Sequence, residues 1–321
     1  MKAYQITAAG EPPALRDIPR PEPGPGEVLI RIAACGLNFA DLLMMQGRYQ
    51  DTPEPPFTLG MELAGIVEAA GPGVRHPAPG ARVAAFAGSG GLAEWGCFPA
   101  ERCVELPPDM PFEEAAAFQV AYGTSHLALA HRARLQPGET LVVLGAAGGV
   151  GLTAVETGRL MGATVIAVAR GEDRLAVAGQ AGAHHLIDSE TADLRAEIKA
   201  LGGADVVYDP VGGAQFKAAF RACNPEARYL VIGFASGDIP QIPANILLVK
   251  NITAIGLYWG GYMSFAPETL TGSLAELLRW YEEGRLRPHV SHRLPLEKVE
   301  DAFRLLRERK ATGKVVVTTA S

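Results

Sequence analysis

Along the first third of the chain, apolar and polar positions interleave in short bursts. After the turn-forming run PEPGPG at 21–26, Val28, Ile30 and Ile32 interleave with Leu29, Arg31 and Ala33, the two-residue period of a strand. Further short strands are expected at 64–69 and 82–86, each bounded by Gly or Pro, with GPG at 71–73 and GSGG at 88–91 marking turns. This texture predicts a compact β-rich unit with a few short helices. From about Leu141 it changes. Apolar runs rich in β-branched residues at 141–144, 164–168, 184–187, 205–208, 229–232 and 252–257 are separated by segments of helical length and composition. Such alternation predicts a parallel sheet with helices on both faces. Later, Leu270, Leu274, Leu277, Leu278 and Tyr281 fall on one helical stripe, as do Val299, Ala302, Phe303 and Leu306, and a last strand is expected at 314–319. The chain shows no internal repeat and no low-complexity segment.

At 321 residues two domains are expected, since a domain takes roughly 100–200. With 48% apolar and 20% charged residues the chain can bury a core, which excludes global disorder. Lys plus Arg number 29 and Asp plus Glu 35, a formal net charge of −6 without long blocks of one sign, so nucleic acid is not expected as the main ligand. Cys35, Cys97, Cys103 and Cys223 form no CxxC pair, and residues 1–10 lack the basic and apolar regions of a signal peptide. Free thiols in a reducing cytoplasm are expected. The uncharged stretches at 115–131 and 251–267 are broken by Gly, Thr, Ser, Asn or Pro, so no membrane span is expected.

The most informative run is LVVLGAAGGVG at 141–151, followed by a helix-like segment to Met161. A strand that ends in glycines and opens a helix lets backbone N–H groups approach a pyrophosphate, whose charge the helix N-terminus stabilises. Gly145 and Gly148 keep the turn free of Cβ atoms, while Gly151, Val155 and Gly158 share a face that can lie close to the sheet. The spacing departs from GxGxxG, with Ala146 at a glycine position. A flexible turn is the alternative to a phosphate cradle. The strand before it and the helix after it favour the cradle, with Gly149 and Val150 included. The second strand runs into Ala169, Arg170 and Gly171, with Arg174 one helical turn on and no acid at the strand tip. Two guanidiniums suit a 2′-phosphate, which makes NADPH the expected cofactor. In the competing arrangement Arg174 is solvated and Glu172 or Asp173 reaches the ribose.

Taken together, PEPGPGE at 21–27, GLNFAD at 36–41, the glycine run, YDPVGG at 208–213, GFAS at 233–236 and TGKVV at 312–316 carry a resemblance over essentially the whole chain. The sequence resembles the medium-chain dehydrogenase/reductase superfamily, specifically its zinc-independent, zeta-crystallin-like NADPH:quinone oxidoreductases. The resemblance implies an α/β protein with a GroES-like β-rich catalytic domain at 1–121 and 262–321. A Rossmann domain with a doubly wound parallel sheet would bind NADPH at 122–261, and the substrate would lie in the cleft between the two. Zinc-dependent relatives place a Cys before the first active-site carboxylate, then Gly-His-Glu, and carry a four-Cys lobe. Here Asn38 and Met61 stand at the Cys and His positions, and Cys97 and Cys103 are alone where the lobe would be. An amide and a thioether are poor zinc donors, so no metal is expected. The histidines at 289 and 292 are expected on opposite faces of a short strand.

Hydride transfer without a Lewis acid needs an acceptor that is already electrophilic, a quinone or an enone. The expected catalytic residues are Asn38, whose amide would bond the substrate oxygen or the nicotinamide ribose, Tyr49 as a donor, and Asp41. Each has a structural alternative. Asn38 precedes a helix expected at 39–45 and Asp41 suits its first turn, and for Asp41 capping is favoured. Tyr49 can line the groove through its ring, and Phe57, Tyr258 and Trp259 are candidates for an aromatic wall with plain packing as their alternative. The loops Gly233-Phe234-Ala235 and Leu257-Tyr258-Trp259 follow the fifth and sixth strands, where they would flank the nicotinamide. The resemblance implies that their backbone groups hold the carboxamide and that the Gly313-Lys314 turn folds towards the cofactor. It also implies a homodimer that continues its sheet across the last Rossmann strand. The expected function is NADPH-dependent quinone reduction. An enone or enoyl-thioester reductase, and a crystallin-like protein that binds NADPH with little turnover, are the alternatives.

Overall fold

The computed structural model describes residues 1–319. It contains two units, one formed by Met1–Val120 with the C-terminal segment from Pro288, the other by Ala121–Arg287. In the first unit the spine is the strand Glu27–Gly36, which pairs antiparallel with Glu62–Ala70, Trp95–Pro99 and Lys314–Thr318. The strands Val290–Pro295, Arg82–Phe86 and Cys103–Glu105 extend the sheet, and Ala14–Asp17, Lys2–Ile6 and Phe57–Thr58 form a second, smaller one. Simple alternation would turn Leu29 away from Ile30. Both are buried all the same, Ile30 in the unit's core cluster and Leu29 outside it, so the strand is covered on both faces. The register shifts at Leu29/Ile30 and at Ile32/Ala34, where Glu68 of the partner strand and Ala33 of this one stand unopposed. The unit's core holds Val28, Ile30, Ile32, Leu63, Val67, Val83 and Phe98.

Register decides what meets at the end of this spine. Gly36 stands opposite Glu62 on one side and opposite Val316 on the other. Continuing the antiparallel count, Leu37 N–H bonds Val315 O at 2.9 Å, which leaves Asn38 facing Lys314. Helix Phe39–Met45 starts at that point, at the bounds expected.

The second unit is a six-stranded parallel sheet in the order His185–Asp188, Thr164–Ala169, Thr140–Leu144, Ala204–Asp209, Cys223–Val231, Thr253–Gly256. Period-two alternation sorts its core: Val142, Leu144, Ile166, Val168 and Val207 meet Phe216, Phe220 and Tyr229 on one face. Leu141, Val143, Val165, Ala167 and Val206 meet Leu129, Ala154 and Val155 on the other. Helices cover both faces, which explains why these strands read as unbroken apolar runs. The fifth strand begins at Cys223, well before the expected 229, because its first half carries the polar run Asn224-Pro225-Glu226 with Glu226 at φ +63°.

The second junction falls at Arg287/Pro288, so 262–287 belongs to the second unit and not, as expected, to the first. Helix Pro267–Glu282 buries Leu270, Leu274, Leu277 and Trp280. His126 bonds Ser273 Oγ at 2.8 Å and meets Trp280 edge-on at 5.2 Å, while Glu156 Oε1 accepts from Arg287 N–H at 2.8 Å. His126 and Glu156 lie in the body of the second unit, and they hold the segment there. Residues 320 and 321, the last two of the expected catalytic span, lie outside the described residues.

Candidate active site

In the second unit the strand Thr140–Leu144 ends at Gly145, whose φ of +60° favours glycine. Ala146 N–H bonds Val168 O at 3.0 Å and Gly148 N–H bonds Gly145 O at 2.9 Å, closing a tight turn. Gly148 then caps helix Gly149–Leu160. A Cβ on Gly151 would stand 2.1 Å from Gly145 O, so the helix can approach the turn only without one. N–H groups in the first turn of a helix have no helical acceptor, and here Gly148 is exposed and Gly149 and Val150 half-exposed. The result is a Cβ-free cradle of donors at the positive end of a helix, which fits a dinucleotide diphosphate.

Asp209, at the end of the neighbouring strand, was not singled out from the sequence. Its buried Oδ1 accepts from Val211 and Gly212 N–H at 2.8 Å each, and Oδ2 from the Tyr229 hydroxyl at 2.7 Å. Burial pushes this carboxyl up, against those three donors. The loop it fixes accepts the Ala235 and Ser236 N–H groups on Pro210 O and Val211 O, and Val211 is the side chain a Cβ on Gly145 would strike. Gly145, Gly233, Phe234 and Ala235, and Leu257 and Tyr258 thus follow the carboxyl ends of three strands of one sheet. Phe234 and Tyr258 are exposed, while Trp259 is buried with its ring against Gly123. At the tip of the second strand Gly171 N–H bonds Asp188 Oδ1 at 3.1 Å, Arg170 Nε stands 3.7 Å from Glu190, and Arg174 Nη1 lies 3.5 Å from Arg170 O. Glu172 and Asp173 are exposed on the first turn of helix Glu172–Gln180.

The first unit holds a buried polar cluster at the spine's end. Lys314 Nζ donates to Glu62 Oε1 and to Asn38 Oδ1, both at 2.7 Å. Asn38 Nδ2 donates to Glu62 Oε1 at 3.0 Å and Gly36 O at 3.3 Å, and Glu62 Oε2 accepts from Val120 N–H at 2.9 Å. Asp41, 0% exposed, accepts the Asn38 backbone N–H on Oδ2 at 2.8 Å, as in a capping box. Its Oδ1 makes no hydrogen bond of normal geometry. Burial pushes the Asp41 carboxyl up to about 7, against the pull of the Asn38 N–H and Lys314. Neighbouring Cys35 is raised as well, by burial first and then by Asp41 and Glu62.

Of the residues expected here, Asn38 and Asp41 are brought together, while Tyr49 sits half-buried in the following turn with its carbonyl bonded by Thr52. Phe57 is buried in the small sheet beside Ile6. Lys314, expected at the cofactor with Gly313, has its ammonium turned into the cluster. Glu62, the residue after Met61, was not singled out from the sequence; it opens the strand Glu62–Ala70 and is 1% exposed. His289 bonds Thr312 and His292 bonds Ser291. Among the described residues no group of three or more His, Cys, Asp or Glu side chains is placed to hold a metal ion, and all four cysteines are free.

The alcohol dehydrogenase GroES-like domain family matches residues 24–108 and the zinc-binding dehydrogenase family residues 149–279. The quinone oxidoreductase-like protein 2 of Bos taurus is 40% identical over 304 residues, spanning 94% of this chain and 87% of its own. The chain belongs to the medium-chain dehydrogenase/reductase superfamily, among its quinone oxidoreductases. Solved members share the fold. The Thermus thermophilus quinone oxidoreductase, whose structures include its complex with NADPH, matches with a TM-score of 0.88 at 36% identity, over 99% of this chain and 100% of that one. The Escherichia coli quinone oxidoreductase complexed with NADPH gives 0.91 at 26% identity, over 99% and 100%. The family assignment makes this chain an oxidoreductase with a GroES-like unit and a Rossmann-type unit.

Proposed function

We propose that this oxidoreductase reduces quinones by hydride transfer from NADPH, without zinc. The observation that carries the reading is the Lys314 ammonium seated on Glu62 and Asn38. A fixed monocation in that place repels a dication, and neither Asn38 nor the buried Met61 is a zinc donor of use. With no Lewis acid to polarise a carbonyl, the acceptor must be electrophilic by itself, as a quinone is. NADPH, when bound, supplies the hydride. The overall change consumes one quinone, one NADPH and one proton and yields hydroquinone and NADP⁺.

The chain's own residues supply binding and orientation. Gly149, Val150 and Gly151 offer N–H groups to the diphosphate, and Gly148 closes the turn that presents them. Arg170 and Arg174, within one helical turn of the strand tip, favour a 2′-phosphate and hence NADPH over NADH. Tyr49, in the turn after the helix that Asn38 opens, serves as donor to the acceptor oxygen. A homodimer is part of the reading: the strand Thr253–Gly256 ends the parallel sheet with an open edge, and the helix before it in sequence carries exposed Leu248 and Val249. The four free thiols support a reducing compartment, the cytoplasm.

The test is steady-state NADPH consumption with 9,10-phenanthrenequinone and with crotonyl-coenzyme A, on protein whose zinc content is measured. Faster quinone turnover with substoichiometric zinc is expected. Faster thioester turnover would transfer the protein to the enoyl-thioester reductases, and tight NADPH binding without turnover would make it a crystallin-like binder.

A further inference from the structure

The two ends of an asparagine amide ask for opposite partners: the oxygen accepts and the NH2 donates twice. Around Asn38 stand one donor and two acceptors. Lys314 Nζ, which cannot accept, lies 2.7 Å from Oδ1, while Glu62 Oε1 and Gly36 O lie 3.0 and 3.3 Å from Nδ2. Flipping the amide would set NH2 against an ammonium and oxygen against a carboxylate and a carbonyl. Three attractions would become three repulsions. Lys314 is 5% exposed and Glu62 1%, so their charges lie in a low-dielectric surrounding that makes the exchange costly. Glu62 is itself held at its second oxygen by Val120 N–H. In this orientation both N–H bonds of Asn38 are spent. Its unspent capacity is one lone pair of Oδ1.

We propose that Lys314 and Glu62 are positioning residues that hold Asn38 as a hydrogen-bond acceptor only, so that it selects a hydroxyl in a ligand and not a carbonyl oxygen. The proposal rests on the reductase reading only for the identity of that ligand. Two sources offer the hydroxyl, the riboses of the cofactor and the hydroquinone product. Asn38 then gives no hydrogen bond to a quinone carbonyl, and any such donation falls to another group.

Four asparagines, Asn38, Asn224, Asn245 and Asn251, make asparagine-selective ¹⁵N labelling of the ligand-free protein a clean test. The Asn38 side-chain pair is assigned by its loss in Asn38→Ser. Its NH2 protons should exchange with water at least about tenfold more slowly than those of exposed Asn245 and Asn251. The double variant Lys314→Met/Glu62→Gln removes one charge of each sign. It should bring the exchange of Asn38 to the exposed rate and lower kcat about tenfold or more, as expected of lost orientation. Lys314→Arg keeps a donor-only cation and should keep the protection. Addition of NADP⁺ alone and of a hydroquinone alone tells the two hydroxyl sources apart by which one shifts the Asn38 pair. Fast exchange in the wild type, wild-type protection and kcat in the double variant, or a shift with quinone alone and with neither hydroxyl source, would overturn the proposal. If the protein shows the protected pair yet oxidises no NADPH with quinones, the functional reading fails and the acceptor lock stands.

Discussion

Asp41 shows how much one buried group can do. Its carboxyl is pushed up to about 7, mainly by burial, whereas an unfolded chain restores the ordinary value of 3.8. Between those values the folded state holds a proton that the unfolded state has lost, so Asp41 costs stability progressively as pH rises from about 4 to about 7. Its contribution is fully present below pH 4 and gone above 7. Asn at this position can keep the bond to the Asn38 N–H and has no proton to lose. The Tm difference, Asp41→Asn minus wild type, is therefore expected to grow with pH across this window, by an amount worth a few kcal/mol. A flat difference between pH 4.5 and 8, by thermal melts, would remove the cluster's proton from the account. The sequence already placed Asp41 in a helix first turn, and its capping bond is there. That it is also sealed from water was not readable from its neighbours in the chain, because the groups that act on it there include the Gly60 N–H and the Lys314 ammonium, distant in sequence.

At the scale of elements, the turn from Thr140–Leu144 into Gly149–Leu160 sets two opposing effects against each other. Gly151→Ala gains about 1 kcal/mol of helix propensity. It also places a Cβ 2.1 Å from a backbone oxygen that cannot step aside, and overpacking of this kind costs about 1–3 kcal/mol. Overpacking wins: a lower Tm and at least about tenfold weaker NADPH binding by calorimetry are expected, since the cradle must widen. The strand-to-helix turn at 170–174 has a different test. Arg170→Gln with Arg174→Gln should weaken NADPH binding by about tenfold or more and leave NADH binding nearly unchanged, as loss of charge-assisted bonds to one phosphate requires. Equal loss for both nucleotides would place the arginines elsewhere. The helical and strand periods made these elements legible, and the fifth strand was cut short only where its polar run hid the pattern.

For the whole molecule, the open question of charge and apolar surface gathers at the sheet's last strand. Leu248 is 73% exposed and Val249 72%, on the helix Ala244–Lys250 that leads in sequence to the edge strand Thr253–Gly256. Chains do not commonly leave an open edge and an apolar pair bare. Gel filtration with light scattering is expected to give twice the 33.8 kDa chain mass, and Leu248→Asp/Val249→Asp to give the single mass with both units still folded. A wild-type protein at the single mass down to its lowest measurable concentration removes the dimer.

The sequence by itself determined the alternation of strands and helices, the glycine turn with its helix, the two helical stripes near the end and the family motifs. All of these are local: periods of 2 and 3.6, Gly and Pro punctuation, and spacings within a few residues express themselves in whatever fold the chain adopts. Only the tertiary structure decided that Lys314 points into a buried cluster, that Glu62 belongs to it, and that the Asn38 amide has one orientation. Lys314 lies 276 residues from Asn38 and 252 from Glu62. Their meeting depends on the register of three strands, where a slip of one residue would turn each side chain to the opposite face. The same holds for 262–287, whose helix was legible as a stripe while its place was set by His126 and Glu156, partners that no local pattern connects to it.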